Sequence, residues 1–228
     1  MPARALILFD IDGTLVRRAG PHHKQALIDA VKLVTGHSST LDDVPTHCML
    51  DGDLLRVILE RLSFGENEIS AALPTLIAAA QRCYAENCPA DLTDKLCPGV
   101  EPLLRQLNQL DIPAGLVTGN FTAIGWKKME LAGLRSYFRL GAFADHGQTR
   151  ADLVAHALQR ARAEALIDDA TRVSLIGDHP NDVRAARANR IRAIATATGL
   201  CSYEELRAEA PDILVRDLTE LTLDRLLS

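Results

Sequence analysis

Residues 5–15 read Ala-Leu-Ile-Leu-Phe-Asp-Ile-Asp-Gly-Thr-Leu, an unbroken apolar run followed at once by closely spaced acidic residues. The run from Ala5 to Phe9 is typical of a β-strand buried on both faces, as in a parallel sheet covered by helices on either side. Ligands of such sheets bind beyond the carboxyl ends of the strands. The stretch therefore predicts a strand that delivers Asp10 to a binding site.

Three later segments repeat the pattern of a short apolar run that stops at a polar or glycine-rich turn. They are Ile112 to Val117 before Thr118-Gly119-Asn120, Val173 to Ile176 before Gly177-Asp178, and Ile191 to Ala197 before Gly199. Helix-like sequence follows each run, and this alternation predicts an α/β fold with a doubly wound, Rossmann-like parallel sheet. Because the strand ends share one edge, we expect Asp10, Thr118 and Asp178 to lie close together there.

The segment between residues 18 and 97 has helical rather than strand periodicity. It contains three predicted helices, His22 to Val34, Asp53 to Leu62 and Glu66 to Ala85. Pro98-Gly99 then marks the return of the chain from this helical segment to the core. The pattern from Val100 to Leu110 predicts a helix that leads into the next strand. We therefore expect a catalytic core made of residues 1–17 and 98–228, with an inserted α-helical cap domain made of residues 18–97.

The amino-acid composition argues against nucleic acids and membranes as binding partners. The 228 residues include 25 Lys and Arg against 30 Asp and Glu, which gives a formal net charge of −5. Nucleic-acid phosphates are held by clustered Lys and Arg, and the sequence has no such cluster, so we expect no nucleic-acid partner. The N-terminal apolar run is too short for a signal peptide, and no stretch approaches a membrane span in length. These observations predict a cytoplasmic protein that does not bind membranes.

The acidic residues after the first strand suggest metal chemistry. A strand that continued to Asp12 would place the Asp10 and Asp12 carboxylates on one side, where they would repel each other. Such a pair needs a cation or a raised pKa. Mg²⁺ prefers oxygen ligands and also binds substrate phosphate, so it is the expected cofactor. Gly13 would let the chain turn sharply and bring backbone N–H groups close to an anion.

The segment from Phe9 to Leu15 resembles the first motif of the haloacid dehalogenase superfamily, in its phosphatase form. Two further segments agree with this resemblance. Leu116 to Asn120 supplies the Thr that ends the second strand of the family, and Ile176 to Asp182 resembles its acidic motif at the fourth strand. The resemblance implies a Mg²⁺-dependent phosphatase that hydrolyses a phosphate monoester.

By this resemblance, Asp10 attacks phosphorus and becomes an aspartyl-phosphate, while Asp12 protonates the leaving oxygen and then activates water. Thr118 and nearby backbone amides, such as those of Gly13 and Gly119, hold a phosphoryl oxygen. The implied metal site consists of Asp10, the Asp12 carbonyl, Asp178 and, through the waters of the ion, Asp182.

The chain departs from the family pattern at the third motif, where relatives have a Lys before the helix that precedes the fourth strand. Arg150 occupies this place. Its guanidinium can neutralise the Asp10 carboxylate and bind phosphate, although its geometry differs from that of Lys. Lys128 is the alternative phosphate-binding residue, but it lies in an amphipathic helical segment where a solvent-exposed Lys is expected. We therefore favour Arg150 over Lys128.

An insertion directly after the first motif is similar to the helical cap of phosphoglycolate phosphatases and β-phosphoglucomutases. Such caps close over the substrate and exclude water. The expected substrate is a small phosphorylated metabolite, for which phosphoglycolate is a candidate, and the cap is expected to set specificity. Candidate contacts are Arg17, Arg18, His22, His23 and the turn Asp51-Gly52-Asp53, although each one taken alone is expected to be an exposed polar residue.

Other functions stay open. The first is a phosphosugar mutase of the same superfamily, and the second is a noncatalytic phosphate-binding relative, since Arg150 replaces the family Lys. A haloacid dehalogenase is disfavoured because Asp12 has no purpose in displacing halide. A phosphonate-cleaving enzyme would need an imine-forming cap Lys, and the candidates Lys24, Lys32 and Lys95 have no distinctive context. The oligomeric state is open between a monomer and a homodimer.

Overall fold

The structure is a computed structural model that describes residues 3–17, 20–46 and 49–228. Within these ranges the strands are β1 (Ala5–Phe9), β2 (Ala114–Val117), β3 (Phe138–Ala142), β4 (Arg172–Gly177), β5 (Arg192–Thr196) and β6 (Ile213–Val215). The helices are α1 (His22–Thr35), α2 (Asp51–Arg61), α3 (Glu66–Asn87), α4 (Val100–Gln109), α5 (Thr122–Leu131), α6 (Arg150–Ala163), α7 (Pro180–Ala188), α8 (Tyr203–Ala208) and α9 (Leu223–Leu227).

The strands form one parallel sheet with the order β3-β2-β1-β4-β5-β6. β1 lies at the centre, where Phe9 is paired with Leu116 on one side and with Ile176 on the other. The chain builds outward from β1 in both directions, so a crevice opens beyond the carboxyl end of this strand. This topology confirms the predicted α/β fold with a doubly wound sheet.

The apolar run in β1 is explained by burial on both faces. Leu6 and Leu8 belong to a buried cluster that includes residues of α6 and α7. Ile7 and Phe9 belong to a second cluster, which includes residues of α4 and α5. Alternate side chains of a strand point to opposite faces, so a strand covered on both sides has no polar position in between.

The helices between β1 and α4 begin and end close to their predicted bounds. α1, α2 and α3 pack on one another, and α3 also contacts α5. α2 begins at Asp51, so the turn expected at Asp51-Gly52-Asp53 is wrong. Asp51 and Asp53 instead occupy the first helical turn, where negative side chains are favoured by the helix dipole. Residues 18 and 19, where the predicted cap domain begins, lie outside the described residues.

Two strands, β3 and β6, are not among the predicted strands. They form the two edges of the sheet, and β3 has an exposed residue, Arg139, within its apolar sequence. β6 is only three residues long. None of the helices in the described ranges combines the length and the apolar character that a membrane span requires.

Candidate active site

The carboxyl ends of β1, β2 and β4 bring Asp10, Thr118 and Asp178 to one cavity, as the strand pattern predicts. The Asp10 N–H donates to Ile176 O at 3.0 Å, which holds the first residue after β1 in register with β4. All three side chains are buried. The cavity has a volume of about 650 Å³, and residues of α1, α2 and α3 line its other side.

Three buried carboxylates, those of Asp10, Asp178 and Asp182, converge at this edge of the sheet. One oxygen of each lies within 4.8 Å of the others. Burial, together with the charge of Asp10, raises the pKa of Asp178 well above its usual range and that of Asp182 to about 7. Arg150 offsets part of this effect, and Thr14 donates a hydrogen bond to Asp178 Oδ1 at 2.9 Å. The cluster therefore holds more negative charge than its surroundings compensate.

Gly13 shapes the loop beside this cluster. Its φ of 88° lies in the left-handed region that favours glycine. A Cβ at this position would collide with the Asp178 carboxylate. The Gly13 N–H donates to Val16 O at 2.8 Å and thereby stabilises the turn. Its predicted contact with a phosphoryl oxygen stays a prediction.

Arg150, the first residue of α6, spans the acidic cluster. Its Nη1 donates to Asp10 Oδ1 at 3.0 Å and to Val117 O at 3.2 Å. Its Nε lies 3.2 Å from Asp182 Oδ1. Burial opposes the guanidinium charge, but Asp10 and Asp182 outweigh this effect and raise the pKa of Arg150. Thr149 fixes the start of α6, because its hydroxyl oxygen accepts the N–H of Asp152 at 3.1 Å.

The donor set of the cluster fits Mg²⁺. Three carboxylates face one guanidinium, and buried charge is stable only when it is compensated. Asp182 Oδ1 is buried and accepts no hydrogen bond from the described residues. Carboxylate oxygens are the ligands that Mg²⁺ prefers, so Asp10, Asp178 and Asp182 could hold the ion.

Asp12 lies in a different electrostatic environment. β1 ends at Phe9, so the strand does not continue to Asp12. The Asp12 carboxylate accepts hydrogen bonds from Lys128 Nζ at 2.6 and 2.7 Å and from Asn120 Nδ2 at 2.8 Å. Burial acts to raise its pKa, but the charge of Lys128 and the hydrogen bonds from Lys128 and Asn120 act against burial, and the pKa of Asp12 lies below its usual value. The raised pKa expected for a pair of carboxylates is found at Asp178 and not at Asp12.

Lys128 is buried, so the expectation of a solvent-exposed lysine is wrong. Its side chain is only 2% exposed. Besides Asp12, the ammonium contacts Asn120 Oδ1 at 2.6 Å and His23 Nδ1 at 3.2 Å. An ammonium has three hydrogens, and these acceptors engage all of them. A lysine can be buried in a helix when a carboxylate compensates its charge, and here Asp12 does so.

The loop after β2 connects this site to α2. Thr118 Oγ1 accepts a hydrogen bond from Asn120 Nδ2 at 2.6 Å. The Asp51 N–H donates to Gly119 O at 2.9 Å. A Cβ on Gly119 would lie 2.9 Å from Met49 O, closer than side chains pack, so glycine permits this close approach. Thr118 and Gly119 thus lie at the cavity, as predicted, and their contact with phosphate stays a prediction.

Comparisons with known proteins identify the family to which this chain belongs. A family model described as haloacid dehalogenase-like hydrolase matches residues 5–189. The chain belongs to this family. A phosphoglycolate phosphatase from Agrobacterium fabrum is 27% identical over 223 residues, which cover 97% of this chain and 92% of the relative. A phosphoglycolate phosphatase from Chromobacterium violaceum is 28% identical over 94% of this chain and 93% of the relative.

Solved structures show the same fold. β-Phosphoglucomutase from Clostridium difficile superimposes with a TM-score of 0.70 at 19% identity, over 99% of this chain and 96% of that one. CbbY from Rhodobacter sphaeroides, solved in complex with phosphate, gives a TM-score of 0.65 at 20% identity, over 98% and 99% of the two chains. The sheet of this haloacid dehalogenase-like hydrolase is therefore the family sheet, with the acidic cluster at its carboxyl edge.

The residues proposed from the sequence as cap contacts have mixed outcomes in this hydrolase. Arg17, His22, His23 and Asp51 line the cavity, and Arg18 lies outside the described residues. Asp51 is buried, so the expectation of an exposed polar side chain is wrong for it. Its Oδ2 accepts the N–H of Phe121 at 2.8 Å and lies 2.9 Å from His23 Nε2.

The sequence interpretation missed two contributors to the site, Asn120 and Thr14. Asn120 bridges Thr118 to Asp12, and Thr14 contacts Asp178. Both stand inside the motifs that carry the family resemblance, and Thr14 has no exposed surface. A signal was present, because polar residues directly after buried parallel strands point into the ligand crevice.

Proposed function

We propose that the protein hydrolyses a small phosphate monoester, with Mg²⁺, through an aspartyl-phosphate formed on Asp10. One observation carries this proposal: two carboxylates of one loop lie in opposite environments. Asp10 belongs to a buried acidic cluster with Arg150, whereas Asp12 is paired with Lys128. Neighbouring carboxylates whose environments differ in this way take different chemical roles.

In the first step, an oxygen of Asp10 attacks phosphorus while the bond from phosphorus to the leaving oxygen breaks. Because the pKa of Asp12 is lowered in the protein without substrate, Asp12 must first take up a proton, which it then supplies to the leaving oxygen. In the second step, Asp12 takes a proton from water, the water oxygen attacks phosphorus, and the bond to Asp10 breaks. Proton transfers of this kind contribute about 10²–10⁴-fold to the rate.

The other residues bind the phosphoryl group and the ion. Bound Mg²⁺ would neutralise charge on the phosphoryl oxygens. Asp10, Asp178, Asp182 and the Asp12 carbonyl are proposed to hold it. Arg150 is proposed to fill the third-motif role, because its Nη1 lies 3.0 Å from Asp10 Oδ1. Lys128 contacts Asp12 instead.

We further propose that residues 18–97 form a cap over the cavity and that residues 1–17 and 98–228 form the catalytic core. Leu27, Leu54 and Tyr84, one from each of α1, α2 and α3, line the cavity opposite the ends of the strands. Phosphoglycolate is the leading substrate, because two relatives that match nearly the entire chain carry that name. The phosphosugar mutase alternative has support only from likeness of fold. The cytoplasmic location and the monomeric or homodimeric state stay predictions.

The test is phosphate release from a panel of phosphate monoesters, with Mg²⁺ and with a chelator, and with Asp10→Asn as the blank. Mg²⁺-dependent release that is lost in Asp10→Asn would support the proposal, and the best ester would identify what the cavity selects. Equal release by the variant would contradict the role of Asp10. An isomeric sugar phosphate in place of free phosphate would favour the mutase.

A further inference from the structure

The loop after β5 reaches the candidate active site, although neither the proposed metal ligands nor the proposed phosphate contacts include it. Thr198 and Gly199 of this loop line the same cavity as Asp10 and Asp12. β5 is paired with β4 in the sheet, so the loop after β5 lies beside Asp178, which follows β4. The steps proposed for Asp10 and Asp12 leave the role of this loop unexplained.

Thr198 holds the backbone of the loop after β1 at Gly13. Its hydroxyl donates to Gly13 O at 2.5 Å, and the Cys97 thiol lies 3.6 Å from the same oxygen. A thiol is a weak donor, so the threonine supplies the stronger hydrogen bond to this carbonyl. Because the hydrogen of Thr198 is used there, Thr196 is the donor in the contact of 3.2 Å between the two threonine hydroxyls. The Thr198 hydroxyl is therefore restricted from two sides.

Gly13 connects Thr198 to the proposed metal site. A Cβ at Gly13 would lie 2.3 Å from Asp178 Oδ2, so the backbone of this residue packs directly on the carboxylate. The peptide after Gly13 leads to Thr14, whose hydroxyl donates to Asp178 Oδ1 at 2.9 Å. The peptide before it contains the Asp12 carbonyl, one of the proposed Mg²⁺ ligands. Rotation of the backbone at Gly13 would thus displace both the Asp12 carbonyl and the Thr14 hydroxyl.

Gly199 restricts the Asp178 carboxylate directly. A Cβ at this position would lie 1.6 Å from Asp178 Oδ2, far closer than side chains pack. Glycine therefore lets the loop after β5 lie against the carboxylate, which has no room to turn towards this loop. Two adjacent residues of one loop thus hold two parts of the proposed metal site.

We propose that Thr198 is a positioning residue for the Mg²⁺ site, which acts through Gly13 on the Asp12 carbonyl and on Thr14. Gly199 completes the arrangement by leaving room for Asp178 alone. Partners that orient the ligands of a metal in this way commonly change its affinity by about 10–100-fold. This inference rests on the proposed function, in which the acidic cluster holds Mg²⁺.

The experiment measures the Kd of Mg²⁺ without substrate, from melting temperatures over a range of Mg²⁺ concentrations at about pH 8. Valine has the shape of threonine without the hydroxyl, so Thr198→Val removes the hydrogen bond to Gly13 and keeps the packing. We expect the Kd to rise about 10-fold in this variant. Thr198→Ser keeps the hydroxyl, and its Kd should stay within about 3-fold of the wild-type value.

The matched control is Thr171→Val, at the opposite edge of the sheet. It removes the same kind of hydrogen bond, because the Thr171 hydroxyl donates to Ala3 O at 2.8 Å. This variant should lower the melting temperature and leave the Kd of Mg²⁺ unchanged.

Gly199→Ala is a second and independent variant, which serves also if Thr198→Val does not fold. Its added methyl group would displace the Asp178 carboxylate, so we expect the Kd to rise about 10-fold or more. An unchanged Kd in Gly199→Ala would overturn the role of this loop.

The outcomes separate this inference from the proposed function. Weaker Mg²⁺ binding in Thr198→Val, with recovery in Thr198→Ser, supports positioning by the hydroxyl. An unchanged Kd in Thr198→Val would overturn the inference while the phosphatase function stands. The same holds for an equal loss in Thr198→Ser, which would point to the methyl group, or in Thr171→Val, which would point to general destabilisation. A wild-type protein whose melting temperature does not respond to Mg²⁺ would overturn the proposed metal site, and the inference with it.

Discussion

Asp10 and Asp12 are two residues apart, yet their surroundings differ in charge. Around Asp10, three carboxylates face one guanidinium, and the pKa values of Asp178 and Asp182 are raised. Around Asp12, a buried ammonium contacts both carboxylate oxygens, and the pKa is lowered. One loop thus supplies a carboxylate at a cation site and another that is already paired with a cation.

The two environments also come from different parts of the chain. The partners of Asp10 lie at the end of β4 and at the starts of α6 and α7, all around the sheet. Those of Asp12 come from α5 and, through His23 and Asp51, from α1 and α2. The acidic cluster is therefore built from the sheet and the helices that adjoin it, whereas the Asp12 site is also connected to α1 and α2 through His23 and Asp51.

The largest expected effect comes from Asp10→Asn. An amide cannot form the aspartyl-phosphate, so we expect turnover to fall by about 10⁴-fold or more. The variant removes one of three mutually repelling carboxylates, so its melting temperature without metal should equal or exceed that of the wild type. Phosphate release and thermal melts measure the two effects. Near-normal turnover would exclude Asp10 as the nucleophile.

Arg150→Ala and Lys128→Met test whether the two cations have separate tasks. Loss of Arg150 should lower kcat/KM about 10³-fold for alkyl phosphates and for p-nitrophenyl phosphate alike, because it contacts the attacking carboxylate. Loss of Lys128 should cost about 10²-fold for the alkyl phosphates, whose leaving oxygen needs a proton, and much less for p-nitrophenyl phosphate, which releases a stable anion. The matched control is Lys127→Met, an adjacent half-buried lysine that pairs with Glu130. A larger general loss in Lys128→Met would transfer the third-motif role to Lys128.

The sequence predicted the centre of the sheet better than its edges. Central strands are covered on both faces, so their apolar runs are unbroken and stand out, as in Ala5–Phe9. The edge strands Phe138–Ala142 and Ile213–Val215 contain an exposed arginine or only three residues, and neither gives such a run. The helix predicted at Glu66 to Ala85 is observed as Glu66–Asn87.

The two parts of the site, the acidic cluster and the surroundings of Asp12, also differ in how far the sequence predicts them. Strand ends meet at one edge of a parallel sheet, so the convergence of Asp10, Thr118 and Asp178 followed from local sequence. The burial of Lys128 did not, because it depends on a carboxylate 116 positions away. Helical periodicity predicts which side chains share one face of a helix, but it does not predict which residues pack against that face. For this reason Lys128 was expected at the surface.

The free energy of unfolding compares Arg150 and Lys128 without reference to activity. Removing one partner of a buried ion pair costs about 3–5 kcal/mol. Lys128→Met should lie at the low end, because 40% of the Asp12 side chain remains exposed. Arg150→Met should cost a similar amount without metal, but added Mg²⁺ should recover more of it, since the ion supplies charge to the same carboxylates. Urea unfolding with Mg²⁺ and with a chelator measures this. Equal recovery in both variants would place the ion elsewhere.

The smallest expected effect is the pH dependence of stabilisation by Mg²⁺. Asp178 and Asp182 have folded-state pKa values above the unfolded value of about 3.9. Without metal, the folded state therefore keeps protons that the unfolded state has lost. The stability contributed by Asp182 is complete below about pH 4 and is lost as the pH rises through about 7, and that contributed by Asp178 falls in the same direction. A higher pH favours the ionised form of the cluster and therefore the binding of a cation.

Mg²⁺ at 100 times its Kd stabilises a protein by about 2.7 kcal/mol, or about 5–10 °C in a chain of this size. We expect a shift in melting temperature of this order at about pH 8 and a shift less than half as large at about pH 5.5, where protons compete with the ion. Asp178→Asn should abolish the difference, and the exposed Asp169→Asn should not. An equal shift at both pH values would mean that Mg²⁺ binds outside the acidic cluster, and Asp10 and Asp12 would then not differ in the way that their surroundings indicate.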